Sequence, residues 1–439
     1  MKSLSINSHM YCQVRKMKTN IDKRFNEKVH ILTLKNGMQV HLLPKSDPYF
    51  STYVELSIPF GSNHLKYIEN GHTVTYPLGS AHFMEHKIFA MEDGDAFVKF
   101  SKLGIDANAM TSYWQTSYLF TATNHVLQGL KLLLDMIDYT YFTKENIMAE
   151  EKIIAEELKM YQDDIEQEIY NDLMENMYIH HPFKYDIGGT LNSIKKIDKE
   201  TLNDIHKHFY HPSQRLLVIA GKFDLEEITK FFNDYDKTLD VYHTDVIIPK
   251  EPLNINKKET VKEKDISISK LALGYKLPFN HEMGDLHLKE ELTYTLLFNL
   301  LLGKTSHLYY ELLDQKIINQ NFYTQTTFGK NIGHLMIYGD TKDPKILKDI
   351  LVEKLNDDPS KLFNEETFKK HVKNYIGHFI FALNQVEYKA YLYAKYFHKG
   401  VHLYDVIDII QSISFDELCK AYETFKKSAY SYVIYKKAN

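Results

Sequence analysis

The sequence predicts an α+β protein made of two homologous tandem units, each a mostly antiparallel sheet covered by helices. Two observations carry this. Short apolar runs come in hairpin pairs and stand apart from long helical runs, which argues against a doubly wound parallel sheet. The same order of elements then recurs, with matching segments about 217 residues apart. Residues 1–27 are polar and lysine-rich and read as a loose N-terminal extension. Residues 28–233 form the first unit and 257–439 the second. The join, 234–256, holds two prolines, mixed charges and little periodicity.

The elements follow in order. Apolar runs at 29–34 and 38–43 flank Lys35-Asn36-Gly37, a hairpin signal. Residues 52–60 alternate as a third strand, and 63–76 read as a polar loop. Pro77-Leu78-Gly79-Ser80 opens a helix to about residue 90, followed by another over 93–103. Strands are expected at 106–112 and 117–123, and helices at 125–138, 143–172 and 200–210. A buried strand over 215–221 and a helix from Asp224 close the unit. The second unit repeats strands at 322–328 and 333–339, helices at 343–355, 364–384 and 415–426, and a strand at 430–436.

With 439 residues, 44% hydrophobic and 25% charged, the chain can bury a core in each unit and has globular composition. Lys+Arg is 53 against 58 Asp+Glu, a net charge of −5. That excludes a strongly basic surface and nucleic acid as main partner. The longest uncharged apolar stretch, 293–303, falls short of the ~20 residues a membrane span needs. No apolar run marks a secretory signal in the first thirty residues. Two cysteines, Cys12 and Cys419, allow at most one bridge and no disulfide framework. A reducing cytoplasm is the expected location. Arginine occurs only at Arg15, Arg24 and Arg215.

The chemistry lies in Gly79-Ser80-Ala81-His82-Phe83-Met84-Glu85-His86. On a helix His82 and His86, at i and i+4, project from one face and can grip one ion, with Glu85 beside them. The usual zinc-protease helix reads H-E-x-x-H; this is its reversal, H-x-x-E-H. Neutral imidazole suits zinc, but two histidines leave the ion short of ligands. With 22 histidines in the chain, such a match arises by chance about once in ten chains of this composition. A second segment therefore matters. Glu150 and Glu157 lie two turns apart on one helix face, with Ile153, Ile154 and Leu158 as apolar neighbours. A carboxylate turned inward among apolar residues needs a partner, and a metal is a sufficient one. Glu151 and Glu156 read as solvated. Phe83, Met84, Ile88 and Phe89 read as core, and His180, His181 and His211 as structural. Gly188-Gly189 in a loop carries no phosphate signature.

These segments resemble the pitrilysin/insulinase family of zinc peptidases, the inverzincins, which pair H-x-x-E-H with a distant Glu ending an E-x6-E helix. Gly79–Phe89, Asp93-Gly94-Asp95, Ala107-Asn108-Ala109, His181-Pro182, Gly188-Gly189-Thr190 and Phe209-Tyr210-His211-Pro212-Ser213 carry the likeness. The second half resembles the family only weakly. Glu157 follows His86 by 71 residues, slightly short of the usual family spacing. The resemblance implies an insulinase-like half clamshell. It implies one Zn²⁺ per chain held by His82, His86 and Glu157, with Glu85 as general base and Glu150 orienting a ligand. A zinc held this way brings the pKa of water to about 7, so Glu85 can take its proton and pass it to the leaving amine. The place aligned with the motif in the second half, 295–299, has no His or Glu pair, so no second site is expected there. The resemblance further implies that Asn108 and Ala109 bind the substrate peptide as an added β-strand.

The expected function is therefore a zinc endopeptidase acting on peptides or flexible protein segments, either general peptide debris or the leader of a modified precursor. The competing reading is a non-catalytic, peptide-holding subunit, which the intact motif argues against. In the family the opposing half usually brings an Arg and a Tyr to the substrate. Here Leu313 stands where that Arg would be, Lys316 is out of register, and Tyr323 lacks its Arg. A heterodimer with a related chain that supplies Arg and Tyr is expected.

Overall fold

The computed structural model describes residues 17–45, 49–235 and 237–438. Cys12, Arg15 and most of the expected loose extension lie outside the described residues.

The first unit runs β1 (Lys18–Asp22), β2 (Glu27–Thr33), β3 (Gln39–Pro44), β4 (Thr52–Ile58), β5 (Lys66–Glu69), β6 (His72–Thr75), α1 (Ser80–Ile88), β7 (Ala90–Met91) and β8 (Gly94–Asp95). It continues through α2 (Ala96–Lys102), β9 (Asp106–Thr111), β10 (Thr116–Ala122), α3 (Val126–Asp138), α4 (Lys144–Gln162), α5 (Ile165–Met177), α6 (Leu191–Ile194), α7 (Lys199–Phe209), β11 (Leu216–Gly221) and α8 (Leu225–Tyr235). In the join, β12 (Asp245–Val246) pairs with β5. The second unit holds β13 (Glu259–Lys264), β14 (Lys270–Lys276), α9 (Asp285–Leu302), α10 (His307–Asp314), β15 (Tyr323–Gly329) and β16 (Ile332–Asp340). It ends with α11 (Pro344–Lys354), α12 (Pro359–Leu362), α13 (Glu365–Ala382), α14 (Val386–His398), α15 (Asp405–Gln411), α16 (Phe415–Phe425) and β17 (Tyr430–Lys437).

The two large sheets have the same topology. The first is ordered β1-β2-β3-β11-β4-β10-β9 and the second β13-β17-β14-β16-β15. In each, the last strand lies parallel to the first of the shared five and antiparallel to the next: β11 with β3 and β4, β17 with β13 and β14. The expected mostly antiparallel tandem repeat is what the chain forms. The parallel pairs arise because the C-terminal strand of each unit inserts between the two earliest strands of the shared five, β3 and β4 or β13 and β14.

Three expectations are corrected. Residues 18–22, read as part of a loose extension, form β1 and pair with β2. The stretch read as a polar loop contains the β5–β6 hairpin, closed by Asn70 and Gly71 at positive φ, 51° and 80°. That two-residue turn suits right-twisted strands. The single helix expected over 143–172 is two helices, broken at Asp163-Asp164; the Asp164 carboxylate caps α5 by accepting from the amides of Glu166 and Gln167.

One face of the first sheet, with Val54, Leu56, Leu217 and Ile219, packs with the unit's own helices. The other face, with Tyr53, Leu216 and Val218, joins an apolar cluster that contains Leu392 and Tyr393 of α14. Conversely α5 sends Leu173 and Met177 against Ala272, Val433 and Tyr435 of the second sheet. A Cβ on Gly274 would fall 2.1 Å from Met177 Sδ, so the glycine leaves room for the side chains of α5 to seat directly on β14, and a larger residue would displace Met177. Each unit therefore lends one helix to the other's sheet. Under α14, His41 Nδ1 meets Tyr393 Oη at 2.8 Å and Ser57 Oγ meets His398 Nε2 at 2.7 Å. On the same face lies Glu55, fully buried, its carboxylate with no charged partner and only the Ser117 hydroxyl nearby. Burial raises its pKa to about 7, with only the Ser117 hydroxyl to offset it.

Candidate metal centre

α1 starts where Gly79, at φ 86°, touches the Gly188-Gly189 loop: a Cβ there would lie 2.3 Å from Gly188 O. Close backbone approach thus fixes the helix start. Phe83, Met84 and Ile88 bury its back face, and Phe89 the residue after it, as expected. His82 and His86 project together, ring centroids 4.6 Å apart. α4 begins with a Thr143–Asn146 capping box and is seated by buried Ile154 and Leu158. Ile153 is a correction, since at 57% exposure it faces solvent and supplies no apolar wall.

This seating brings Glu157 to the histidines. His82 Nε2 lies 3.7 Å from Glu157 Oε1, and His86 Nε2 lies 3.5 Å from Glu157 Oε2. Donor atoms of all three residues lie within 4.8 Å of one another. His86 Nδ1 donates to Glu150 Oε1 at 3.0 Å, which turns Nε2 toward the shared point. Lys87 Nζ holds the other Glu150 oxygen at 3.4 Å. Glu85 Oε2 accepts from Thr111 Oγ1 of β9 at 2.6 Å.

The electrostatics favour a cation. Burial, then the His86 charge, pulls His82 down to about 4, so it stays neutral as a ligand must. Burial opposes a proton on His86, but the Glu150 hydrogen bond and the charges of Glu85, Glu150 and Glu157 outweigh it. Burial raises Glu85, and Thr111 partly offsets it. Three carboxylates around two imidazoles, with one lysine, make a site that a dication completes. The residues fit zinc: two imidazole nitrogens and one carboxylate, with room for a fourth ligand.

The site opens into a cleft of 390 Å³ whose walls include Met110, Tyr161, Asp186 and Gly188. β9 ends its sheet, so one edge is unpaired by any described strand. Asn108 and Ala109 lie on this edge strand, and the Ala109 amide donates to Asn108 Oδ1 at 2.8 Å. Thr111, Lys87 and Gly188 were not legible as site residues in the sequence; the adjacent glycine pair was the one available signal.

In the second unit α9 packs against edge strand β15, with Thr295 Oγ1 2.8 Å from Thr326 Oγ1. The helix–edge contact is kept without the carboxylate. His181 accepts from the Phe183 amide at 3.1 Å and is fully buried, and His211 accepts from Ser213 N at 3.3 Å; both are structural. Both described arginines are engaged elsewhere. Arg24 binds Asp22 and Asp408; Arg215 binds Asp138 at 2.5 Å and Tyr210 O at 2.7 Å.

Residues 51–191 match the family described as Insulinase (Peptidase family M16), and residues 196–375 match its Peptidase M16 inactive domain. The chain is 33% identical over 403 residues to the uncharacterized zinc protease YmfH of Bacillus subtilis, covering 90% of this chain and 93% of that protein. It is 25% identical over 207 residues, 45% of this chain and 39% of the relative, to a probable mitochondrial-processing peptidase subunit beta of Arabidopsis thaliana. A crystal structure of an M16-like peptidase from Alicyclobacillus acidocaldarius superposes with a TM-score of 0.88 at 26% identity, covering 94% of this chain and 99% of that one. Helix motif, distant glutamate, repeated topology and near full-length likeness agree: the chain belongs to the insulinase (peptidase M16) family, whose named relatives are zinc proteases.

Proposed function

We propose that this chain is a zinc-dependent endopeptidase for peptides or flexible protein segments, acting as the catalytic subunit of a heterodimer. The observation that carries the reading is the convergence of His82, His86 and Glu157 on one point, with Glu85 beside them at the head of an open cleft. His82, His86 and Glu157 would hold a zinc ion there, which would supply Lewis-acid polarisation of the scissile carbonyl and of water. Glu85, desolvated and held by Thr111, takes the proton from water and returns it to the leaving amine. Glu150 positions His86 through its Nδ1. The substrate backbone lies along the free edge of β9, its carbonyl replacing Asn108 Oδ1 at the Ala109 amide. The match of residues 196–375 to an inactive domain fits a second unit without a His or Glu pair at 295–299, not a loss of catalysis in the first.

Metal content and cleavage of a quenched peptide pool, with and without chelator, test the reading. Glu85→Gln keeps its zinc and loses cleavage, because it removes the base and no ligand. Metal loss or retained cleavage in that variant refutes the assignment. The heterodimer rests on Leu313, half-buried in α10, and on the engagement of Arg24 and Arg215. The purified chain binds zinc yet cleaves poorly until a related subunit carrying Arg and Tyr is added. Full activity of the chain alone, as a monomer or homodimer in sedimentation, overturns it.

A further inference from the structure

We propose that Glu69, Asp204 and His208 hold a second divalent metal ion, of zinc or manganese type, that pins the β5–β6 hairpin to α7. This inference stands whether or not the first site hydrolyses peptides.

Glu69 ends β5, and Asp204 and His208 sit at i and i+4 on one face of α7. Donor atoms of the three lie within 4.8 Å of one another. His208 Nε2 is 3.2 Å from Glu69 Oε1 and 3.4 Å from Asp204 Oδ1. The corresponding separations at the first site are 3.5 and 3.7 Å. Donors about 2.1 Å from a shared tetrahedral ion stand roughly 3.4 Å apart, so both sets fit one.

The second observation is the state of His208. It is 1% exposed, and its Nε2, 3.2 and 3.4 Å from two carboxylate oxygens, makes a well-aligned hydrogen bond with neither. Its other nitrogen, Nδ1, is engaged by the Tyr242 hydroxyl at 2.5 Å. In the tautomer that a metal ligand needs, Nδ1–H donates to the Tyr242 hydroxyl and the Nε2 lone pair faces the two carboxylates, an arrangement a cation completes. Asp204 is prepared in the same way. The hydroxyls of Tyr67 and Tyr76 both donate to its Oδ2 at 2.7 Å, leaving Oδ1 free toward His208. Such outer partners fix the orientation of ligands. Two carboxylates and a neutral imidazole also balance a dication's charge. The present counter-ion is Lys207, whose Nζ lies 2.9 Å from Glu69 Oε1 on a side chain 64% exposed, free to swing into solvent.

The test is equilibrium dialysis of the full chain against zinc, with metal content read by mass spectrometry. The wild type binds two zinc ions, Glu157→Ala one, and Glu157→Ala with Glu69→Gln none. His208→Ala loses the second ion; because it removes a buried ring, Glu69→Gln, at the hairpin rim, serves as the variant that keeps the fold. In the Glu157→Ala background zinc raises the melting temperature, and adding Glu69→Gln abolishes that rise. Lys207→Met strengthens binding at this site several-fold, whereas a simple ion-pair network would only lose a contact. A Glu157→Ala chain that binds no zinc, or two ions retained in folded Glu69→Gln, overturns the proposal.

Discussion

Glu55→Gln offers a quantitative test of how the two units share their core. In the folded chain Glu55 has a pKa near 7, against an ordinary 4.5, because burial under α14 penalises its charge. The native state therefore keeps a proton that the unfolded chain releases as pH rises through 4.5. Stability falls across the window from 4.5 to about 7 and levels off above it. The shift corresponds to roughly 3 kcal/mol lost by pH 8. Glutamine fills the same space without a charge, so at pH 5 the variant and wild type should unfold alike. At pH 8 the variant should be more stable by up to the full amount. Unfolding entropies of about 2.1 cal/mol/K per residue give a chain of 439 residues roughly 0.9 kcal/mol/K, so the expected gain is about 3 °C. Melting curves at the two pH values, compared as variant minus wild type, cancel the titration of every other group. An equal difference at pH 5 and pH 8, or a variant less stable at pH 8, refutes the buried-acid account.

Other outcomes concern the site itself. Glu150→Gln removes the anion that turns His86 and should weaken zinc affinity about 10- to 100-fold, measured by chelator competition; unchanged affinity would leave Glu150 no positioning role. Ala109→Pro deletes the edge-strand amide and should cut peptide turnover while zinc content holds; normal turnover in the folded variant removes β9 as the docking strand.

Much of this site was legible because its strongest signals are local. The H-x-x-E-H spacing needs only a helix to bring His82 and His86 together, and the spacing of Glu150 and Glu157 likewise puts both on one face. Contacts between distant elements were not legible, apart from the meeting of Glu157 with His82 and His86 that the family resemblance implied. Thr111 reaches Glu85 only once β9 packs beside α1. Glu69 meets His208 only through a hairpin whose half-exposed, polar strands lack an apolar alternation. The helix α14 escaped because residues buried around it, among them Lys389, Ala390, Leu392 and Tyr393, leave no one-sided apolar stripe. β1 escaped because an edge strand with an exposed, charged sequence looks like a tail.

The exchange of helices between units bears on what the second unit does for the first. α5 follows directly from the helix carrying Glu157, and its apolar side is seated on Gly274 of the other sheet. Removing the second unit would strip that seat from α5, the helix after the one carrying Glu157, and uncover Glu55 on the first sheet. β14 and α14 therefore serve the first unit as scaffolding, whereas α9 carries no His or Glu pair at 295–299. The second unit works as a foundation: residues 28–233 alone would leave the apolar side of α5 and the Glu55 face of the first sheet uncovered.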